Sequence, residues 1–141
     1  MAEFNIRKAN WDSDQSTIVS VRETVFIKEQ GVYRAEEFDG LDPECIQLLA
    51  EDLDQNAIGT ARLTRAGKIG RMAVLPAWRG RGVGAALLEA LLETARELGI
   101  AQVVLDAQVR AIGFYETRGF EARGPEFMDA RIPHRKMYLD L

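Results

Sequence analysis

The hydrophobic periodicity of the chain is strongest over Gly82–Leu98, where apolar residues recur every three or four positions. Such a stripe is typical of an amphipathic helix with one buried face. Gly99 follows at the position where helices commonly end, and the apolar run Ala101–Asp106 then predicts a buried strand. A further strand over Lys68–Leu75 precedes the helix. The three elements therefore form a predicted βαβ unit whose two strands run parallel.

The remaining pattern predicts shorter elements around that unit. Alternating residues predict a first strand over Phe4–Ala9, and helical spacing predicts a helix that is capped by Ser13 and stopped by Gly31. The acidic segment Tyr33–Glu44 is rich in turn formers and predicts a loop. The other predicted elements are the hairpin strands Ile46–Glu51 and Ala57–Thr64, a short helix over Val109–Thr117, and closing strands over Phe120–Arg123 and Lys136–Leu141. Together they predict a mixed α/β sheet.

Composition narrows the class of protein. The 141 residues predict a single domain over residues 1–141. With 18 basic and 22 acidic residues the net charge is −4, which favours neither nucleic acid nor an anionic membrane surface as a partner. One cysteine, Cys45, and one histidine, His134, exclude an internal disulfide and a histidine-based metal cluster, so no metal is expected. No signal peptide or membrane span is predicted, and the lone cysteine favours a cytoplasmic location.

A glycine- and arginine-rich stretch, Arg79–Gly84, opens the predicted long helix. The first amides of a helix lack internal partners and favour an anion, and glycine lets a phosphate approach them closely. The stretch therefore predicts a phosphate or pyrophosphate site, with a plain strand-to-helix turn as the alternative. Gly80–Ala85 also fits the dinucleotide pattern G-x-G-x-x-G/A, and Asp106 lies where a ribose-binding acid belongs. A nicotinamide dinucleotide enzyme therefore stays open at this point.

Two motifs carry a more specific resemblance. The run Met72–Gly84 resembles the acetyl-CoA-binding motif of the GNAT superfamily of N-acetyltransferases, which is a strand ending in V-x-P followed by Q/R-x-x-G-x-G/A. Downstream, Ala111–Phe120 is similar to the family pattern A-x-x-F-Y-x-x-x-G-F. The two motifs have the order and separation of the family and cover about residues 70–121. Val25–Val32 also resembles a V-F-x-x-E-Q-x-V segment of small bacterial members.

The resemblance implies a fold and a cofactor site. The implied fold is a twisted, mostly antiparallel sheet with one parallel βαβ unit whose strands splay to form a cleft for CoA. Backbone groups of β-strand residues would pair with the pantetheine arm, and amides of the glycine-rich stretch would hold the pyrophosphate. Gln108 stands where many members carry Asn. The implied cofactor-binding residues are Met72, Ala73, Val74, Arg79, Gly80, Arg81, Gly82, Val83, Gly84, Gln108 and Tyr115.

The implied reaction is direct transfer of an acetyl group from the CoA thioester to a primary amine of a small molecule or peptide. A phenol, with a pKa of about 10, is a suitable acid for a departing thiolate, so Tyr115 is the predicted proton donor. A backbone amide near Val74 is expected to hold the oxyanion. Glu29 is the candidate base or substrate contact, and a merely solvated carboxylate is the alternative.

The acceptor side of the site is less sharply defined. Candidate substrate contacts are Glu29, Gln30, Asp39 and His134, and the acidity of residues 36–44 is expected to suit a cationic acceptor. No pattern identifies that acceptor. A homodimer is expected because it is common in the family. The alternative in a different class is a non-catalytic acyl-CoA-binding protein on the same fold, which the retained Tyr115 disfavours.

Overall fold

Seven strands form one sheet in the computed structural model, which describes residues 3–141. In chain order they are β1 (Phe4–Ala9), β2 (Ile46–Asp52), β3 (Ala57–Leu63), β4 (Lys68–Val74), β5 (Gln102–Gln108), β6 (Glu121–Asp129) and β7 (Ile132–Asp140). Their order across the sheet is β1-β2-β3-β4-β5-β7-β6. Neighbours pair antiparallel except β4 and β5, which pair parallel. The predicted mixed sheet with its parallel βαβ unit is confirmed.

The helices surround this sheet. They are α1 (Trp11–Arg22), which continues as a π-helical segment (Glu23–Glu29), α2 (Arg34–Glu37), α3 (Val83–Glu97) and α4 (Ile112–Glu116). Short 3-10 turns lie at Asp42–Glu44, Pro76–Trp78 and Val109–Ala111. The cap predicted at Ser13 is wrong, because the Asn10 side chain accepts the Asp12 and Ser13 amides at 2.9 and 3.4 Å. Asparagine is as good a cap as serine, so α1 starts earlier.

Both faces of the sheet are covered by helices. Four buried leucines of α3 anchor the larger core: Leu87, Leu88, Leu91 and Leu92. A smaller cluster joins Val21 and Val25 of the first helical stretch to Ala73 of β4. Because successive strand residues point to opposite faces, Met72 and Val74 join the α3 core instead. Strand β4 therefore packs against α1 on one face of the sheet and against α3 on the other.

Strands β4 and β5 are paired for only part of their length. Ladder pairs join Lys68 to Val104 and Ile69 to Leu105, and β4 then separates from β5. At the same point β4 carries a bulge. Thr60 pairs with Ala73 and Arg62 pairs with Gly70, so Arg71 and Met72 of β4 lie opposite the single residue Ala61 of β3. The bulge gives Arg71 a left-handed φ of 50°. The result is a wedge-shaped opening between the carboxyl-terminal halves of the two parallel strands.

Three predicted segments, one loop and the two closing strands, differ from the structure. The loop predicted over Tyr33–Glu44 contains α2 and a 3-10 turn, and it buries the side chains of Glu37 and Asp42. The closing strands are nine residues each rather than short, and they extend to a turn in which Ala130 and Arg131 have φ of 50° and 67°. Gly124 and Pro125, which suggest a loop in the sequence, are accommodated because β6 is an edge strand with an irregular register.

Candidate active site

A cavity of about 340 Å³ lies where β4 and β5 separate. Residues 69–72 of β4 and Leu105, Asp106 and Gln108 of β5 supply two of its walls. Phe26 of the π-helical segment, Gln30 directly after that segment and the β6–β7 turn also line the cavity. The β4 backbone beyond Ile69 has no strand partner on this side. An extended ligand can therefore hydrogen-bond to β4 as an added strand.

The glycine-rich start of α3 presents free amides at its solvent-facing end. Gly82 caps the helix with a φ of 87°, and Gly80 has a φ of 73°. A Cβ at either position would meet nothing within 4 Å, so the loop is open on its outer side. The first main-chain bond of α3 runs from the Ala86 amide to the Gly82 carbonyl, which leaves the preceding amides unpaired within the helix. This arrangement fits an anion such as a phosphate.

The two arginines of the loop have partners of their own. The Arg79 guanidinium forms a two-pronged pair with Glu29, and its Nε donates to the Val74 carbonyl at 3.1 Å. The Arg81 guanidinium lies 3.9 Å from the centre of the Trp78 ring and also pairs with Glu3. Their charges are thus partly compensated. The positive character of the loop therefore comes chiefly from the amides of α3.

Tyr115 lies on α4 and lines the same cavity. Its ring packs edge-on against Phe114 and Phe120, with centroids 5.1 and 5.8 Å away. Burial raises the pKa of Tyr115 to about 12, because the phenolate would lose hydration. The hydroxyl is therefore protonated throughout the neutral range. The structure places Tyr115 in one cavity with Met72 and Gln108, as the predicted site requires.

The end of the π-helical segment touches both sides of the opening. Glu29 reaches Arg79 next to β4, whereas the Gln30 Oε1 accepts a hydrogen bond from the Gln108 Nε2 of β5 at 3.0 Å. The Gln108 Oε1 in turn accepts from the Arg110 Nε at 2.9 Å. The Arg79 hydrogen bond lowers the pKa of Glu29, which makes its carboxylate a weaker base. π-helical turns are rare and occur frequently at functional sites.

His134 is a buried residue of β7 that faces Gln108 of β5 in the sheet register. Its Nδ1 lies 2.6 Å from the carbonyl oxygen of Ile132, which can only accept, so Nδ1 carries the proton. The ring stacks on Phe127 with centroids 5.9 Å apart and an interplanar angle of 22°. The residue lines the cavity, and its Nε2 is the ring nitrogen that the bond to Ile132 does not use.

The acidic segment before β2 is not a free anionic surface. Asp39 pairs with Arg62 and Arg71, and these cations lower its pKa. Asp42 is buried between Arg22 and Arg62. The expectation that this acidity attracts a cationic acceptor is wrong for these two carboxylates, because arginines from the sheet and from α1 already neutralise them. Asp39 does not line the cavity.

Asp106 also has protein partners. Its carboxylate accepts from Lys68 and Lys136, both at 2.9 Å. A 3-10 turn over Pro76–Trp78 separates the glycine-rich loop from β4, whereas the dinucleotide motif follows its strand directly. The site therefore fits a nicotinamide dinucleotide poorly.

Two cavity-lining arginines, Arg71 and Arg110, are absent from the residues predicted above. Arg110 lies two positions after Gln108, so the sequence already indicates that it lies just beyond the end of β5. The left-handed backbone of Arg71 has no sequence signal, because glycine, asparagine and aspartate are the residues expected there.

A splayed parallel strand pair beside a glycine-rich helix start defines an acyl-CoA-dependent transferase fold. The family described as "Acetyltransferase (GNAT) domain" matches residues 17–141. The uncharacterized N-acetyltransferase YjcF of Bacillus subtilis is 37% identical over 124 residues, which cover 85% of this chain and 88% of that protein. The chain therefore belongs to the GNAT acetyltransferase family, whose members use acetyl-CoA as co-substrate.

Solved structures agree with this assignment. An acyl-CoA N-acyltransferase from Pseudomonas aeruginosa superposes with a TM-score of 0.85 at 28% identity, covering 96% of this chain and 98% of that one. Escherichia coli ElaA superposes with a TM-score of 0.84 at 25% identity, with the same coverage of 96% and 98%. The predicted fold class is thereby confirmed. Among residues 3–141, no helix is long and apolar enough to cross a membrane.

Proposed function

We propose that the protein transfers an acetyl group from acetyl-CoA directly to a primary amine. The observation that carries this proposal is the meeting of the unpaired β4 edge and Tyr115 in one cavity, with the open start of α3 following β4. A non-catalytic acyl-CoA-binding protein would need the same edge and loop, but it would not need a protonated phenol in the cavity.

The cofactor is expected to follow the β4 edge. Backbone groups of Met72, Ala73 and Val74 would pair with the amides of the pantetheine arm, because an extended chain can add to a free sheet edge. The amides of residues 79–84 would hold the pyrophosphate, for which the open space around Gly80 and Gly82 leaves room. Gln108 would have to exchange its bond to Gln30 for one to the cofactor.

The reaction forms a C–N bond and breaks a C–S bond. The neutral amine attacks the thioester carbonyl, and the tetrahedral oxyanion is held by a backbone amide near Val74. Collapse expels the thiolate, which takes a proton from the Tyr115 hydroxyl. The raised pKa of Tyr115 keeps the hydroxyl protonated at neutral pH but makes it a weaker acid than a free phenol, so the phenolate left by the transfer regains a proton from solvent before the next turnover.

The amine must also lose a proton; of the two candidates, His134 lines the cavity and Glu29 does not. The carboxylate of Glu29 is tied to Arg79, which lowers its pKa and weakens it as a base. His134 lines the cavity, and in the neutral tautomer whose Nδ1 donates to the Ile132 carbonyl the Nε2 is the nitrogen that can take a proton. We therefore assign the proton acceptor to His134 and keep Glu29 as the alternative.

The acceptor is proposed to be a small-molecule or peptide amine. A glucosamine 6-phosphate N-acetyltransferase from Trypanosoma brucei brucei is 37% identical over 75 residues, which cover 53% of this chain and 44% of that protein. Its name supports amine chemistry without identifying the acceptor of this chain. The lone thiol of Cys45 is consistent with a reducing, cytoplasmic compartment.

A matched pair of glycine variants tests the cofactor site. Gly82 and Gly99 both have a left-handed φ, 87° and 75°, and a Cβ would meet nothing within 4 Å at either. Substitution by alanine should therefore lower the free energy of unfolding by about 1–2 kcal/mol at either position. Only Gly82→Ala should weaken binding of acetyl-CoA, because Gly99 lies at the other end of α3. Equal acetyl-CoA affinity in the two variants would contradict the site.

Thiol release over a panel of amines tests the activity itself. The proposal requires CoA release that depends on the amine. Thermal stabilisation by CoA without any amine-dependent release would favour the non-catalytic alternative. Stabilisation by NAD but not by CoA would exclude both.

A further inference from the structure

Six charged side chains form a closed ring, two members of which, Glu37 and Arg71, line the cavity. Arg22 pairs with Glu37 at 2.7 Å and with Asp42 at 2.7 Å. Arg62 pairs with Asp42 at 3.0 Å and also with Asp39. Arg71 closes the ring through Asp39 at 3.1 Å and Glu37 at 3.3 Å. Three positive and three negative groups alternate, so the ring has no net formal charge.

The ring joins parts of the chain that lie far apart in sequence. Arg22 ends α1, Arg62 lies on β3 and Arg71 lies on β4, whereas the three carboxylates all come from residues 37–42. Arg22 is completely buried. A buried charge is tolerated only with good pairing, so each member holds its neighbours in one geometry. The ring therefore fixes the segment before β2 against both β3 and β4.

Arg71 is the member at the β4 bulge. Its φ of 50° is unfavourable for a residue with a side chain and costs about 1–3 kcal/mol unless the surroundings hold it. Its guanidinium has three kinds of contact: the Nε donates to the Glu37 carbonyl at 3.0 Å, the same Nε forms an ion pair with the Glu37 carboxylate at 3.3 Å, and an Nη donates to Asp39 at 3.1 Å. These contacts secure the side chain and thereby the backbone from which it projects.

The bulge lies at the start of the edge proposed to hold the cofactor. Ladder pairing with β5 ends at Ile69, and the residues that follow Arg71 are Met72, Ala73 and Val74. A change in the backbone at Arg71 would turn the amides of these residues relative to the cavity. Reaction rates are sensitive to such displacements, since a misplacement of about 1 Å can cost about 100-fold.

We propose that Arg71 is a positioning residue: its direct contacts with Glu37 and Asp39 in the ring hold its left-handed backbone, and the bulge so held aims the β4 amides at the reacting thioester. This proposal rests on the proposed acetyltransferase function. The alternative is a ring that stabilises the fold and has no influence on the rate of transfer.

The variant Arg71→Asn separates the two. Asparagine tolerates a left-handed φ better than most residues but cannot bridge Glu37 and Asp39. We expect kcat for amine-dependent CoA release to fall about tenfold or more, and by a larger factor than the affinity for CoA, because the proposed pyrophosphate site at the start of α3 is untouched. Arg71→Lys keeps one charged contact and should recover part of kcat.

The matched control is Asp42→Asn. It breaks the ring at Arg22 and Arg62 but leaves both carboxylate partners of Arg71 in place. It should lower Tm without a comparable loss of kcat. Amide hydrogen exchange in residues 70–74 gives a readout that needs no turnover: it should become faster in Arg71→Asn and not in Asp42→Asn.

The outcomes are distinct. If wild-type protein shows no amine-dependent CoA release, the proposed function fails, and the exchange experiment still tests whether Arg71 holds the bulge. If wild-type protein is active and the two variants lose Tm alike while both retain kcat, Arg71 is only structural and the proposal is overturned. Unchanged exchange in Arg71→Asn would overturn it as well.

Discussion

The buried phenol of Tyr115 makes a quantitative prediction about alkaline stability. Its pKa is raised from about 10 to about 12 by burial, so between these values the unfolded chain loses the proton while the folded chain keeps it. The contribution of the neutral phenol to the free energy of unfolding is therefore fully present below about pH 10 and is lost as the pH rises toward about 12. Two pKa units at 1.36 kcal/mol each give about 2.7 kcal/mol. Partial exposure of the ring makes this an upper value.

The test compares wild-type protein with Tyr115→Phe in urea unfolding between pH 9 and pH 12. Lysines and the other tyrosines titrate in both proteins and cancel in the difference. We expect the stability of wild type relative to the variant to fall by about 2–3 kcal/mol over this interval. A difference that stays constant with pH would refute the argument that burial holds the phenol in its neutral form.

The same variant tests the proposed acid. Tyr115→Phe should lower kcat sharply and leave the KM for acetyl-CoA nearly unchanged, because the lost proton is needed only when the thiolate departs. Full activity of the variant would remove Tyr115 as the acid. The alkaline stability prediction would stand or fall separately, since it depends on burial alone.

Three further predictions concern other parts of the cleft. Gly59→Ala should cost about 1–3 kcal/mol in urea unfolding, because its Cβ would lie 3.0 Å from the Ala73 carbonyl oxygen and 3.2 Å from side-chain atoms of α3; an unchanged stability would mean that α3 can shift away. Burial opposes ionisation of Asp106, but hydrogen bonds from Lys136 and Lys68 outweigh it and lower its pKa, so wild type should lose stability below about pH 4. Asp106→Asn should flatten that acid loss in urea titrations, and an identical pH profile in both proteins would contradict the pairing. His134→Gln should lower kcat by about 100-fold or more at unchanged CoA affinity, whereas Glu29→Gln should not; the reverse result in steady-state kinetics would transfer the role of base to Glu29.

Much of the central fold could be predicted because its signals are local. The apolar stripe of α3 and the buried run of β5 each lie within one element, and the observed helix Val83–Glu97 differs from its prediction by a residue at each end. The motif at residues 72–84 is likewise a continuous stretch of chain. The residues proposed for the cofactor side of the site are therefore the ones that the sequence predicts.

The acceptor side could not be predicted in the same way. The lengths of β6 and β7 depend on pairing across the sheet, which overrides Gly124 and Pro125. The π-helical register that brings Glu29 and Gln30 to the opening has no pattern of its own in the sequence. The bulge at Arg71 is maintained by partners more than 30 positions away in the chain.

The charged residues show most clearly which parts of the site can be predicted from the sequence and which cannot. An acidic segment with turn formers is predicted as a solvated loop because burying a carboxylate is costly, yet Glu37 and Asp42 are buried since Arg22, Arg62 and Arg71 compensate them. The arginines of the glycine-rich loop are expected from the sequence to attract an anion, but they are paired with carboxylates that also lie far away in the chain. A charge therefore cannot be assigned to a ligand from its sequence neighbours alone. Backbone features such as the free β4 edge and the open start of α3 require no distant side chain, and they are the parts of the site on which the proposed cofactor binding depends.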